Sequence, residues 1–390
     1  MPRLPLRLAG PSLAVLLLAG APAFAAEPTG NAIADAVIAG MESSGATNIT
    51  WGGVTGDDDT ATITDLKATT APATEGGKTS TLTIGSLTLD EASVADGRIE
   101  AGAVAATAIT VKEDGGTAGV SIGQLVGADV AGSVEDAVSP DLDTTLGEMT
   151  ASDIVITAED GTAIPVETVE ITTGDVVNGS PREMSFAADN IVIDVAKLPD
   201  EEAKAQLTRL GYDTLKLSLV LAGGWDAEQE TLTVEEITIA GDQMGSLSLS
   251  ASLGGLTEAV MEQLQAEGND EQKMQLLQGL LVEDLELSFE NQSLVNRLID
   301  AQAKDQGTTP DALVGQLSQM LPEMLKMIGN PDFEGKVAAA ATAFLKAPQN
   351  LTITAAPAQP VPIAQLVGTA MMAPQSLPTV LNVTVDANQQ

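Results

Sequence analysis

Residues 231–256, TLTVEEITIAGDQMGSLSLSASLGGL, alternate apolar and polar side chains as a half-buried β-strand requires, except at Glu235-Glu236, where the alternation slips. Leu232 and Val234 precede the slip, and Ile237 and Ile239 follow it with their parity changed. Strand side chains point alternately to opposite faces. An extra residue therefore turns the second apolar pair to the wrong face unless a β-bulge absorbs it. The same figure, apolar-x-apolar-x-x-apolar-x-apolar, recurs at Ala61/Ile63/Leu66/Ala68, Leu82/Ile84/Leu87/Leu89 and Ile164/Val166/Val169/Ile171. Spacers such as Thr64-Asp65 and Glu235-Glu236 lack the Asn-Gly or Gly-Gly chemistry of a two-residue hairpin. Each unit reads as one bent strand, and the irregular spacing between units excludes a solenoid of fixed period.

Plain alternation marks further strands at Ile154–Ile156, Ile191–Val195, Leu215–Leu221 and Leu247–Leu253, punctuated by turn-forming segments such as EDGGTAG and VNGSP. One helix, LPDEEAKAQLTRLGY, interrupts them, with acids in its first turn and Gly211 at its C-terminal end, and a second runs from Asn31 to about Ser43. After Leu256 the period changes to that of a helix. Thr309-Pro310-Asp311 and Asn330-Pro331-Asp332 each place a capping residue before a proline at the first helical position. Short strands return at DLELSFE, NLTITAA and LNVTVDA, so this region can extend the same sheet. The expected fold is α+β: a long, bent, mostly antiparallel sheet with a helix-rich C-terminal region packing on or beside it. The expected segments are a signal peptide at 1–25, an N-terminal helix at 26–45, a β-rich domain at 46–256 and an α-helical or α+β region at 257–390.

Arg3 and Arg7, the apolar stretch Leu13–Leu18 and the box Ala23-Phe24-Ala25 have the form of a cleavable secretory signal. No later run approaches the ~20 apolar residues that a spanning helix needs, so no transmembrane segment is expected after cleavage. The chain has no cysteine, which excludes disulfides and a lipidated cysteine. Export without disulfides points to the periplasm of a bacterial envelope. A formal net charge of −38 repels phosphate backbones and anionic headgroups, which argues against nucleic acid as a partner.

The chemical inventory is short. With neither His nor Cys, the commonest general base, the thiol nucleophile and the usual zinc ligands are missing. Gly119-Val120-Ser121-Ile122-Gly123 matches a nucleophile elbow in letters, but that elbow needs a strand-to-helix turn and a histidine partner. Asp57-Asp58-Asp59 and Asp226/Glu228/Glu230 do not match a spaced calcium loop and read as turn acids. Neither an enzyme nor a cofactor is expected, and no metal site.

Leu313, Leu317, Met320, Leu321, Met324 and Ile328 line one helical face. Leu313, Leu317, Met320, Met324 and Ile328 are the candidate apolar lining of a ligand groove, since methionine suits adaptable hydrophobic surfaces. Segments 211–256, 285–322 and 344–388 resemble exported alphaproteobacterial proteins of unknown function, and the bent-strand units resemble those of AsmA-like envelope proteins. That resemblance implies a long sheet with an apolar groove, lipid as a partner and a part in outer-membrane homeostasis. The functional expectation is a non-catalytic periplasmic protein that binds a lipid or another hydrophobic ligand, and the alternative is a structural module that binds another envelope protein. Export is checked directly: N-terminal sequencing of the periplasmic form is expected to begin at Ala26, and a form beginning at Met1 contradicts it.

Overall fold

The computed structural model describes residues 28–72, 77–133, 145–174, 176–177, 180–265 and 270–389. The segment expected to be the signal peptide lies outside them. Among the described residues the fold is α+β, with sixteen strands in long antiparallel sheet and two more, β9 (Val176–Val177) and β10 (Ser180–Pro181), in a separate ribbon. Two compact units divide the chain: Met1–Pro181 with Ala188–Asn190, and Arg182–Ala187 with Ile191–Gln390.

In the first unit, α1 (Ala32–Ser43) precedes β1 (Thr47–Thr50), β2 (Gly53–Gly56), β3 (Ala61–Thr70), β4 (Ser80–Ala95), β5 (Arg98–Glu113), β6 (Gly119–Ser133), β7 (Thr145–Thr157) and β8 (Ala163–Thr173). From β3 to β8 each strand pairs with the next in an antiparallel meander. Asn31 sets the start of α1: its Oδ1 accepts from the amides of Ile33 and Ala34, and its Nδ2 donates to the carbonyls of Asp57 and Thr60 at 2.9 Å each. One side chain thus caps the helix and ties it to the turn before β3. Ile33, Val37 and Met41 recur at helical spacing and are fully buried, as are Ile63, Leu66, Ile84 and Leu87 of the strands. Contacts from β1, β3, β4 and β5 enclose the helix, so this sheet curves around it. A helix apolar on almost every side fits such a position.

The slipped alternation has two structural solutions. At Glu235-Glu236 the expected bulge is present: pairing steps from Val234↔Ala251 to Ile237↔Leu249, so both glutamates oppose Ser250 alone. From β3 to β8 in the first unit the register does not shift. Asp65, with φ of 50°, stands level with Gly85, and the pairs on either side, Thr64↔Ser86 and Leu66↔Ile84, stay aligned. Neighbouring strands carry the extra residue at the same level, so no two-against-one count arises. The feature continues across the sheet as Ala108 on β5, Gly123 on β6, Asp153 on β7 and Glu167 on β8, with Ala108 and Asp153 again left-handed at φ of 51° and 55°. A second line crosses at Glu91, Gly102, Asp129 and Gly147, with Glu91 and Asp129 left-handed. On both sides of the slip at Thr64-Asp65 the apolar pairs face one core: Ala61, Ile63, Leu66 and Ala68 are all buried.

Close approach explains the alternating glycines. A left-handed residue leans its side chain over the next strand, and a Cβ at Gly123 would stand 2.7 Å from the Cβ of Asp153. A Cβ at Gly102 would lie 3.1 Å from that of Glu91. Gly123→Ala is therefore expected to lower stability by about 1–3 kcal/mol. Asp153→Gly, which removes the overhanging side chain at a position where glycine is at ease, is expected to rescue it in the double variant. Equal destabilisation of the single and double variants in urea unfolding contradicts this contact.

The second unit contains part of β11 (Glu183–Asp194), then α2 (Glu201–Arg209), β12 (Thr214–Asp226), β13 (Thr231–Gly241), β14 (Gly245–Gly254), α3 (Glu258–Gln265), α4 (Asp270–Gly279), β15 (Leu281–Asn291), α5 (Leu294–Asp305), α6 (Pro310–Leu325), α7 (Pro331–Lys346), β16 (Asn350–Ala355), β17 (Val361–Pro362), α8 (Ile363–Met372), α9 (Leu377–Val380) and β18 (Val383–Ala387). Strands β12 to β16 and β18 lie side by side in that order, and β17 pairs with β15. The caps at Thr309 and Asn330 are formed as expected, each accepting from an amide of the first turn. Trp225 donates its indole N–H to the carbonyl of Leu256 at 2.8 Å and packs with Leu280, Val260, Met261 and Ile363. Strands before residue 256 and helices after it thus share one core. Arg297 lies 4.3 Å over the ring of Tyr212 and donates to the carbonyls of Leu210 and Gly211, closing the C-terminal end of α2.

Candidate functional site

The curved sheet of the first unit encloses more apolar surface than α1 fills. Beside Val37 of the helix, a cleft opens along Leu87 and Leu89 of β4, Val104 of β5, Leu125 and Val130 of β6, and Met149 of β7. Pairing explains how these residues come together. Leu89 faces Val104, Val104 faces Gly127, and Gly127 faces Met149 across consecutive strands, and directly paired residues share a face. The second left-handed line, at Glu91 and Asp129, returns Val130 to the same side as Leu125. The cleft's volume is about 40 Å³, too small to enclose a drug-sized molecule. Its lining is aliphatic throughout, without a charged or hydroxyl side chain. Such a wall contributes burial and shape, and no hydrogen bond orients what it holds.

A second apolar surface lies on the sheet of the other unit. Leu219, Ile239, Leu247, Phe289 and Leu351 form one row across β12 to β16, and Leu221, Ile237, Leu249, Leu287, Ile353 and Val385 form the next. At the β15 end α7 covers the row, with Phe344 edge-on to Phe289 at 6.1 Å. At the other end Leu247 is 47% and Ile239 54% exposed. The helices thus cover part of this face and leave Ile239 and Leu247 largely exposed.

The sequence-predicted lining lies on α6 and just beyond it. Leu313 is buried and Leu317 and Ile328 are half-buried, while Met320 and Met324 are exposed at 47% and 60%. Exposure rises along the stripe toward the helix's C-terminal end. Helix α6 packs against α5 and α7, and the cleft of the first unit is lined by none of these five residues. Sequence reading found Leu87 and Leu89 as apolar strand positions but missed the cleft residues of β5, β6 and β7, which fill several of their inward positions with Ala and Gly. The same slipped spacing is nevertheless there, at Ala101/Val104/Ala106/Ile109 and Leu125/Gly127/Val130.

Other polar groups have structural partners. Ser121 sits in mid-strand, paired with Thr110 and Val155, and not at a strand-to-helix turn. Asp57 accepts from the Thr60 hydroxyl at 2.7 Å, which holds its carboxyl below the usual range, and the neighbouring Asp57 carboxylate raises that of Asp59. The Oδ1 of Asp226 accepts from the amides of Glu228 and Gln229 in a tight turn. Among the described residues no group of three or more acids is placed to hold a metal ion, and no helix is long and apolar enough to cross a membrane.

Residues 238–388 match a family model described as an uncharacterized protein. The match runs from mid-β13 to β18 and lies in the second unit. No curated protein matches the chain.

Phe344→Ala is expected to destabilise the protein by about 3 kcal/mol and to widen the exposed face, raising the fluorescence of a bound hydrophobic dye under native conditions. Unchanged stability and dye signal contradict the covering role of α7.

Proposed function

We propose that the protein binds the acyl chain of a lipid in the periplasm without transforming it, as a non-catalytic part of envelope lipid traffic and outer-membrane homeostasis. The observation that carries this reading is the open aliphatic cleft along β4 to β7. An acyl chain needs cover from water and no polar partner, and a wall of Leu, Val, Ile and Met offers that alone. Burial at about 25 cal/mol per Å² favours a long chain over a short one, since no other interaction distinguishes them. The likeness of the bent strands to AsmA-like proteins supports the same reading by analogy of fold, as does the form of the N-terminal segment, which suits export.

Uptake of a fluorescent fatty acid tests it. Val130→Trp, which fills the cleft, is expected to weaken uptake about tenfold or more, while Val126→Trp on the opposite face of the same strand leaves it unchanged. Lipid-free native mass spectra of protein prepared from the periplasm, together with absence of uptake, overturn the proposal. A stoichiometric protein partner in those spectra would then favour the alternative, an interaction module without ligand.

A further inference from the structure

No charged side chain stands between Lys346 and Asp386, the longest such run in a chain of which 18% is charged. The run contains β16, β17, α8, α9 and most of β18. A run this long without charge suits a buried segment, yet Met371 and Met372 at the end of α8 are 82% and 87% exposed. Val367, one helical turn before Met371, is exposed as well, so an apolar stripe faces outward.

The junction after α6 meets the segment that follows this stripe. Asn330, just after α6, donates from Nδ2 to the carbonyl of Gln375 at 3.0 Å, which ties the α6–α7 junction to the segment following α8. Three residues before Asn330 stands Met327, 93% exposed, and Met324 precedes it on the exposed stripe of α6. Beside them Glu323 and Lys326 neutralise one another in an ion pair of 2.6 Å. This part of the second unit therefore combines projecting methionines and the charge-free α8 with an ion pair of no net charge, on a protein whose net charge is −38.

We propose that this part of the second unit seats on a lipid bilayer whose headgroups carry no net charge. Protein-binding hot spots are built from Trp, Tyr and Arg in shaped pockets, and this part presents none of them. Its methionines stand out singly on unbranched, flexible side chains, a form that enters disordered acyl chains readily and fits no fixed counterpart. Charge selects the kind of membrane. Elsewhere the acidic surface is repelled by anionic lipid, and only the charge-free run allows close approach. Helix α8 has ten residues, too few to span, so it lies in the plane of the interface. This proposal concerns a different surface from the acyl-chain cleft and does not rest on it.

Flotation with phosphatidylcholine vesicles tests it on the full mature chain. The protein is expected to float with the vesicles, to remain bound in about 0.5 M salt, and to bind less to vesicles rich in phosphatidylglycerol at low salt. The double variant Met371→Asp/Met372→Asp is expected to lose binding about tenfold or more, while Val94→Asp, an exposed apolar position in the first unit, leaves it unchanged. Both sites are on the surface, and matched thermal midpoints confirm that the variants fold. Absence of the wild-type protein from the floating fraction overturns the proposal, as does equal flotation of the double variant. Val130→Trp separates this idea from the cleft: it is expected to float normally while losing soluble fatty acid, and its failure to float would overturn the independence of the two surfaces.

Discussion

The lean of a left-handed side chain over a glycine on the next strand is the contact on which the sheet of the first unit depends. A strand that inserts one residue loses its inward parity, and every apolar side chain beyond that point turns to water. A left-handed residue restores the parity at a cost of roughly 1–2 kcal/mol, less where Asp or Asn occupies the position. Each Leu or Ile kept in the core contributes about 1.5–3 kcal/mol, and β3 keeps Leu66 inward beyond the left-handed Asp65. Burial outweighs strain, provided that the neighbouring strand makes room. Gly85, Gly102 and Gly123 make that room, which is why the feature propagates in lines across strands.

Much of this was legible in the sequence, and the part that was not has a physical reason. The slip at Thr64-Asp65 or Glu235-Glu236 is local, so reading the alternation finds it; the caps at Asn31, Thr309 and Asn330 are local too. Whether neighbouring strands slip at the same level depends on pairing between residues far apart in sequence, as at Asp65 and Gly85, and no periodicity reports that. Ala108 is left-handed with nothing in its residue type to announce it. In the candidate site, apolar character along α6 was readable, but exposure was not. Leu313 and Met324 belong to one stripe, and only packing against the neighbouring helices makes the first core and the second surface.

The charge-free run from Ala347 to Val385 carries the same lesson with the opposite sign. It is plain in the sequence, yet a segment without charge ordinarily reads as core, and much of this one is core: Ala355 and Val361 are buried. Only the placement of Met371 and Met372 shows that its end faces outward. Composition says which surface is free to meet an apolar phase, and structure says which part of it is presented.

The two faces of the sheet divide the work of a protein with 2% aromatic residues. On the polar face hydroxyls bond across strands, as Thr62 does with Thr88 at 3.1 Å and Thr238 with Ser248 at 2.8 Å, and acids such as Glu286 and Glu290 keep that face in water. The apolar cleft of the first unit has neither rings nor hydroxyls with which to fix a ligand's orientation. Discrimination there rests on area alone, which grows with chain length and is indifferent to headgroup. A surface of that kind is poorly suited to telling one small polar molecule from another and well suited to a class of molecules that share a hydrocarbon chain. Under the proposed function, the aliphatic composition that leaves the chain without recognisable chemistry is itself the specificity.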